Sequence, residues 1–206
     1  MKLSEQKIYL ASKSPRRREL LRQIGVDFEL LLLREDPSRG PVVSEDVLPN
    51  EAPLDYVQRV TREKATMAGK VMLWRRLPLR PVLTADTTVT LNGVILGKPA
   101  NRVEAQAMLE QLSGQTHEVI TSVALVIDEQ VLQTTQVSSV SFARLSTEQI
   151  RSYCLLNEPY DKAGGYGIQG QAAAFISGIS GSYSGIMGLP LFETAQLLEQ
   201  AGLRRP

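Results

Sequence analysis

Ile8-Tyr9-Leu10-Ala11-Ser12-Lys13-Ser14-Pro15-Arg16-Arg17-Arg18 reads as a short apolar strand that turns sharply into a helix. Ser14 suits the N-cap and Pro15 the first helical position. Leu20, Leu21 and Ile24 then supply an apolar stripe before Gly25 ends the helix. A helix start presents unpaired backbone N–H groups and the positive end of the peptide dipoles, both of which favour anions. Three arginines in that first turn oppose the dipole and repel one another. They destabilise the turn unless something negative sits there, and a phosphate chain is the simplest occupant; the alternative is a solvated basic face. The stretch lacks the glycines and the terminal Lys-Ser/Thr of a P-loop, and no Gly-x-Gly-x-x-Gly follows a strand, so a different phosphate cradle is expected.

The rest of the chain alternates in the same way. Residues 26–33 read as a strand, and 34–52, rich in proline and acid, as an exposed loop. Residues 53–74 predict a long helix with Leu54, Val57, Val60, Ala68 and Val71 on one face. Residues 82–91 and 94–96 flank Asn92-Gly93, a strong hairpin signal. Asn101 with Glu104 predicts a capping box for a helix ending near Gly114, and Ser146 with Gln149 another. Residues 118–128 and 131–142 form a second hairpin, the glycine-rich span 157–184 holds a short strand around 174–176, and Pro190 opens a last helix closed by Gly202. Hairpins within an otherwise crossover-connected chain predict an α/β fold around a mixed sheet. No linker divides the chain into independent domains.

Composition sets bounds. The 206 residues carry a net charge of +1, so phosphate recognition must be local and a coat for nucleic acid is not expected. Cys154 is the only cysteine, which leaves no internal disulfide and no cysteine-based zinc site. No apolar run approaches membrane-spanning length and the first residues do not read as a signal peptide, so a cytoplasmic protein without a membrane partner is expected.

Asp86 lies inside the β-branched run Leu83-Thr84-Ala85-Asp86-Thr87-Thr88-Val89. A carboxylate there must be paired, hydrogen-bonded at a strand end, or coordinating a cation. Lys64 falls four residues from both Val60 and Ala68, on the apolar stripe, where it either snorkels or meets a buried anion. Lys98 precedes Pro99 after the first hairpin, and Gln169 sits between Ile168 and Gly170 in a glycine-rich loop, offering a donor and an acceptor suited to a base edge. His117 is the only histidine and reads as structural, which removes serine–histidine catalysis.

Taken in order, Ser12-Lys13-Ser14-Pro15-Arg16-Arg17, Arg62-Glu63-Lys64-Ala65, Ala85-Asp86-Thr87, Gly97-Lys98-Pro99, Leu112-Ser113-Gly114-Gln115-Thr116-His117, Asp161-Lys162-Ala163-Gly164 and Tyr166-Gly167-Ile168-Gln169-Gly170 resemble the Maf family of nucleoside triphosphate pyrophosphatases. Ile168-Gln169-Gly170 and Gly181-Ser182-Tyr183 are similar to the subgroup acting on dTTP and UTP, less so to that preferring 7-methyl-GTP. The resemblance implies one domain over residues 1–206: a mixed twisted α/β sheet with flanking helices, two lobes around a central cleft, related to inosine triphosphatases. It implies a catalytic aspartate at Asp86 and specificity positions at Arg16, Thr87 and Gln169. Ser12, Ser14, Arg16, Arg17, Lys64, Lys98 and Lys162 are expected around the triphosphate. The family's second carboxylate follows the second strand; here Glu35, or Asp36 beside it, is expected to join Asp86 in holding a divalent metal cation, Mg²⁺ or Mn²⁺. A homodimer is also implied.

The expected reaction is hydrolysis of a pyrimidine nucleoside triphosphate at the α-phosphorus, giving a monophosphate and pyrophosphate, with Asp86 orienting or deprotonating water. The rivals are a pyrophosphatase clearing noncanonical purine triphosphates such as ITP, and a nucleotide-binding regulator linked to cell division that performs no chemistry.

Overall fold

The computed structural model describes residues 7–33, 42–128 and 130–203. Among these, seven strands form one mixed sheet: β1 (Ile8–Leu10), β2 (Phe28–Leu30), β3 (Val82–Leu91), β4 (Val94–Leu96), β5 (Thr116–Ile127), β6 (Gln130–Phe142) and β7 (Ile176–Ser180). Their order is β2-β1-β3-β5-β6-β7, with β4 also paired to β3. β1 runs parallel to β2 and β3, and the other pairs are antiparallel. Parallel neighbours need crossovers. α1 (Pro15–Gln23) supplies the first and α2 (Pro53–Trp74) carries the chain on to β3. α3 (Arg102–Leu112), α4 (Thr147–Tyr153), α5 (Tyr183–Met187) and α6 (Leu191–Gln200) complete the helices.

Local chemistry places most element ends. The Ser14 hydroxyl accepts the Arg17 N–H at 3.4 Å, and Asn101 accepts that of Glu104 at 3.0 Å. Ser146 and Gln149 make the reciprocal box, with bonds of 3.2 and 2.8 Å. Asn92 and Gly93 both take positive φ, 52° and 79°, as the tight hairpin between β3 and β4 requires.

Three expectations are corrected. β2 covers only Phe28–Leu30, because its sole partner β1 is itself three residues long and a ladder cannot outrun its partner. The last strand lies at Ile176–Ser180, while 171–175 coil into 3-10 turns. An edge strand pairing through backbone alone leaves little trace in Ile-Ser-Gly-Ile-Ser. Leu54, expected on the buried face of α2, is 42% exposed, and Tyr56 takes that place.

The hydrophobic core divides along β3. Leu83 and Ala85 pack with Val123 and Leu125 of β5 and with α1 and α6; Val89 packs with Val119, Val140 and α3. The shared parity of these positions puts both clusters on one face of the sheet. The opposite face, carrying Val82, Ile120, Ala124 and Val126, is covered by α2. Asp86, Thr87 and Thr88 fall between the two clusters. β1 pairs with β3 only at Val82 and Leu83, and β4 only at Val89, Thr90 and Leu91. Among the described residues, 84–88 therefore have no strand on that edge. The unpaired stretch of β3 is where the candidate site lies.

Candidate active site

Asp86 is 8% exposed and points to the face covered by α2. The α2 stripe that buries Val57, Val60 and Ala68 also carries Lys64, whose ammonium reaches Asp86 Oδ1 at 2.7 Å. Of the two readings of Lys64, the buried partner anion is the one observed. A buried carboxylate without such a partner would be strongly unfavourable.

The same ammonium lies 2.6 Å from Glu45 Oε1. Glu45 belongs to the stretch read as a plain exposed loop, and nothing in Ser44-Glu45-Asp46 marks it. It is positioned by α2: Tyr56 donates its hydroxyl to the Glu45 carbonyl at 3.0 Å. Arg59 donates to the Asp46 carbonyl at 2.9 Å and to the Glu51 carboxylate at 2.6 and 2.9 Å. Burial pushes the Glu45 carboxyl up, but the charge and hydrogen bond of Lys64, with Lys98 and Arg17 beyond, leave it below its ordinary value. The Tyr56 phenol is pushed up to about 12, by burial first and then by the charges of Asp86 and Glu45.

Arg17 enters at the unpaired edge of β3. Nη1 donates to the Ala85 carbonyl at 2.8 Å and contacts Ser12 Oγ at 3.4 Å. Nη2 donates to Thr87 Oγ1 at 3.0 Å and Nε to the Gly188 carbonyl at 2.7 Å. The guanidinium thus grips both neighbours of Asp86. Thr121 extends the chain of contacts, 3.0 Å from the Thr87 hydroxyl and donating to the Gly185 carbonyl at 2.8 Å. Gly188 has φ +113°, and a Cβ there would stand 3.4 Å from both Arg17 Nε and Thr87 Oγ1. Burial lowers the pKa of Arg17; Asp86 opposes that and Arg16 adds to it.

The remaining expected residues divide. Ser12 is buried at the turn, where its hydroxyl accepts the Ser14 N–H at 3.2 Å, and Ser14 caps α1. Arg16 is half-buried beside Arg17. Lys98 is exposed and close enough to help lower Glu45. Lys162 turns into its own loop, donating to the Glu158 carbonyl at 2.8 Å and pairing with the Asp161 carboxylate. Gln169 is exposed on that loop, which docks beside β3: the Gly164 N–H donates to the Gly97 carbonyl at 3.0 Å, and Gly164 packs on Val89. Arg17 and Lys162, both expected on the triphosphate, direct donors inward because protein oxygens lie within their reach. Glu35 and Asp36 lie outside the described residues. A cavity of about 590 Å³ opens on the far side of α2, lined by Arg59, Arg62, Glu63 and Lys70, and is separate from Asp86.

The donor set suits a divalent cation. Asp86 and Glu45 already share one positive charge, and both offer the oxygen ligands that Mg²⁺ or Mn²⁺ accepts. Among the described residues no group of three or more His, Cys, Asp or Glu gathers to hold a metal, so such an ion would draw its other ligands from water and substrate. With Lys64 and Lys98 nearby and Arg16 beside Arg17, the arrangement can hold a polyanion next to the Asp86 carboxylate.

The family model described as Maf-like protein matches residues 7–201. A dTTP/UTP pyrophosphatase of Nitrosospira multiformis is 54% identical over 204 residues, covering 99% of each chain. One from Ralstonia nicotianae is 55% identical over 197 residues, covering 95% of this chain and 94% of that protein. Among solved structures, the Staphylococcus aureus Ham1 protein aligns with a TM-score of 0.45 and 14% identity, over 67% of this chain and 72% of that one. This chain belongs to the Maf-like protein family.

Proposed function

We propose that this chain hydrolyses dTTP and UTP at the α-phosphorus, releasing a nucleoside monophosphate and pyrophosphate. The observation that carries this reading is the buried Asp86 held by Lys64, with the exposed Glu45 on the same ammonium, at the unpaired edge of β3, in a family whose relatives are named for that activity.

Asp86 orients the attacking water and takes its proton. Lys64 holds the Asp86 carboxylate in place through its 2.7 Å charge-assisted hydrogen bond. Arg16, through its side chain and its backbone N–H in the first turn of α1, and Lys98 hold the phosphates, where positioning and fixed charge do most of the work of phosphoryl transfer. Arg17 acts on Asp86 as a positioning residue, through Ala85 and Thr87. Thr87 and Gln169 read the base. Asp86 and Glu45 are the residues that would hold a divalent cation; bound there, Mg²⁺ or Mn²⁺ supplies positive charge against the phosphoryl oxygens and the attacking water.

Asp86→Asn is expected to lower turnover of dTTP and UTP by about 10²–10⁴, the usual contribution of a general base, in an assay of pyrophosphate release. Wild-type rates would overturn the reading. Chelation with EDTA is expected to abolish release and added Mg²⁺ or Mn²⁺ to restore it; unchanged turnover would remove the metal from the scheme.

A further inference from the structure

We infer that Glu158 is a positioning residue for base selection, its carboxylate closing the loop that presents Gln169; this rests on the reading of Gln169 as a base reader. Glu158 Oε1 accepts the Tyr153 hydroxyl at 2.9 Å, and Oε2 accepts the Gln171 N–H at 3.0 Å. The Glu158 carbonyl accepts Lys162 Nζ at 2.8 Å. One residue therefore ties both ends of the 158–171 segment, and Tyr153 anchors the tie in the core, edge-on to Phe175 at 5.3 Å.

The glycines report how tightly the loop is wound around this carboxylate. A Cβ at Gly170 would stand 2.1 Å from Glu158 Oε1 and 2.2 Å from its Cδ, well inside van der Waals contact. The φ of Gly170 is −101°, open to any residue, so a side chain there meets no backbone strain and would instead displace the Glu158 carboxylate. Gly167 is pressed in the same way, its Cβ position 2.9 Å from Lys162 Cε. Gln169 thus stands directly before a backbone packed on the carboxylate, and two residues before the N–H that the carboxylate accepts. Its amide can be held at one height only while Glu158 stays in place. Exposed on the loop, Gln169 depends on it for its position.

The test compares UTP with GTP, as the ratio of kcat/KM, in Glu158→Ala, Glu158→Gln, Gly170→Ala, the Glu158→Ala/Gly170→Ala pair and Gln169→Glu, with Tm measured for each. Misplacing a recognition group by about 1 Å can lose about 100-fold, so Glu158→Ala and Gly170→Ala are each expected to cut the ratio by at least ~10-fold, through a higher KM for UTP. Glu158→Gln retains the ratio, because its amide oxygen still accepts the Gln171 N–H and its NH₂ can donate to the Tyr153 hydroxyl. The double variant loses no more than Glu158→Ala alone, since the three atoms nearest a Cβ at position 170 all belong to the Glu158 carboxylate. A Glu158→Ala protein with a lower Tm and a wild-type ratio, while Gln169→Glu shifts the ratio, would overturn the role of Glu158. An unshifted ratio in Gln169→Glu would instead sink the base-reading assignment, and the inference with it. If Glu158→Ala does not fold, Gly170→Ala against Glu158→Gln decides.

Discussion

His117 is 2% exposed, and its Nε2 lies 2.7 Å from the Tyr166 hydroxyl. Its Nδ1 meets no hydrogen-bond partner among the described residues, and Phe142 and Tyr166 stand edge-on at 5.2 and 5.4 Å. Burial lowers its pKa from 6.5 to about 4. The structural reading made from sequence agrees with this position. The unfolded chain binds a proton near pH 6.5 that the folded chain refuses until about pH 4, so the stability of the neutral, buried form is full above pH 6.5 and falls through that window. The loss is expected to reach about 2 kcal/mol at pH 5 and about 3 kcal/mol near pH 4. Urea unfolding of wild type and His117→Gln at pH 7.5 and pH 5 checks it: the variant is expected to lose most of the difference between the two pH values. Equal differences in both proteins would show that another group titrates.

At the scale of elements, the turn between β1 and α1 does two things. It starts a helix capped by Ser14, and it sends Arg17 into the edge of β3 that neither β1 nor β4 covers. A guanidinium can bridge a carbonyl, a hydroxyl and a second carbonyl at once, which a lysine ammonium on its flexible stem cannot do with the same geometry. Arg17→Lys is therefore expected to lower kcat for UTP by about 100-fold, the effect of a slightly misplaced reacting group, with little change in KM. A KM that rises while kcat holds would make Arg17 a ligand of the substrate instead. Steady-state kinetics separates the two. α2 shows a similar division of labour: one face buries the sheet and delivers Lys64, while Tyr56 and Arg59 hold the preceding segment so that Glu45 meets it.

For the molecule as a whole, near neutrality conceals a local pattern. The 23 basic and 22 acidic residues nearly cancel, yet Arg17, Lys64 and Lys98 gather around Asp86 and Glu45. Two hydrophobic clusters on one sheet face are joined by β5 and β6, which run through 12 and 13 residues and keep the sheet continuous. The polar stretch of β3 can thus remain open on one edge while its other edge is fully paired with β5, Asp86 opposite Ser122 and Thr87 opposite Thr121. A site with this rigidity suits chemistry that relies on fixed charge.

Sequence alone determined what depends on near neighbours: the caps at Ser14, Asn101 and Ser146, the Asn92-Gly93 hairpin, the limits of α2 and β3, and the two charged residues, Lys64 and Asp86, placed where apolar ones belong. Helix periodicity and capping act over three or four residues, so a single chain displays them directly. Tertiary structure alone decided which groups meet across long separations. Arg17 and Gly188 are 171 residues apart, Lys64 and Asp86 22 apart, and Glu45 comes from a stretch with no pattern of its own. The lengths of β2 and β7 belong with these, because an edge strand extends only as far as its neighbour offers hydrogen bonds. So does the closure of the Gln169 loop by Glu158, where the fit of a carboxylate against a glycine backbone exists only once the chain has folded around it.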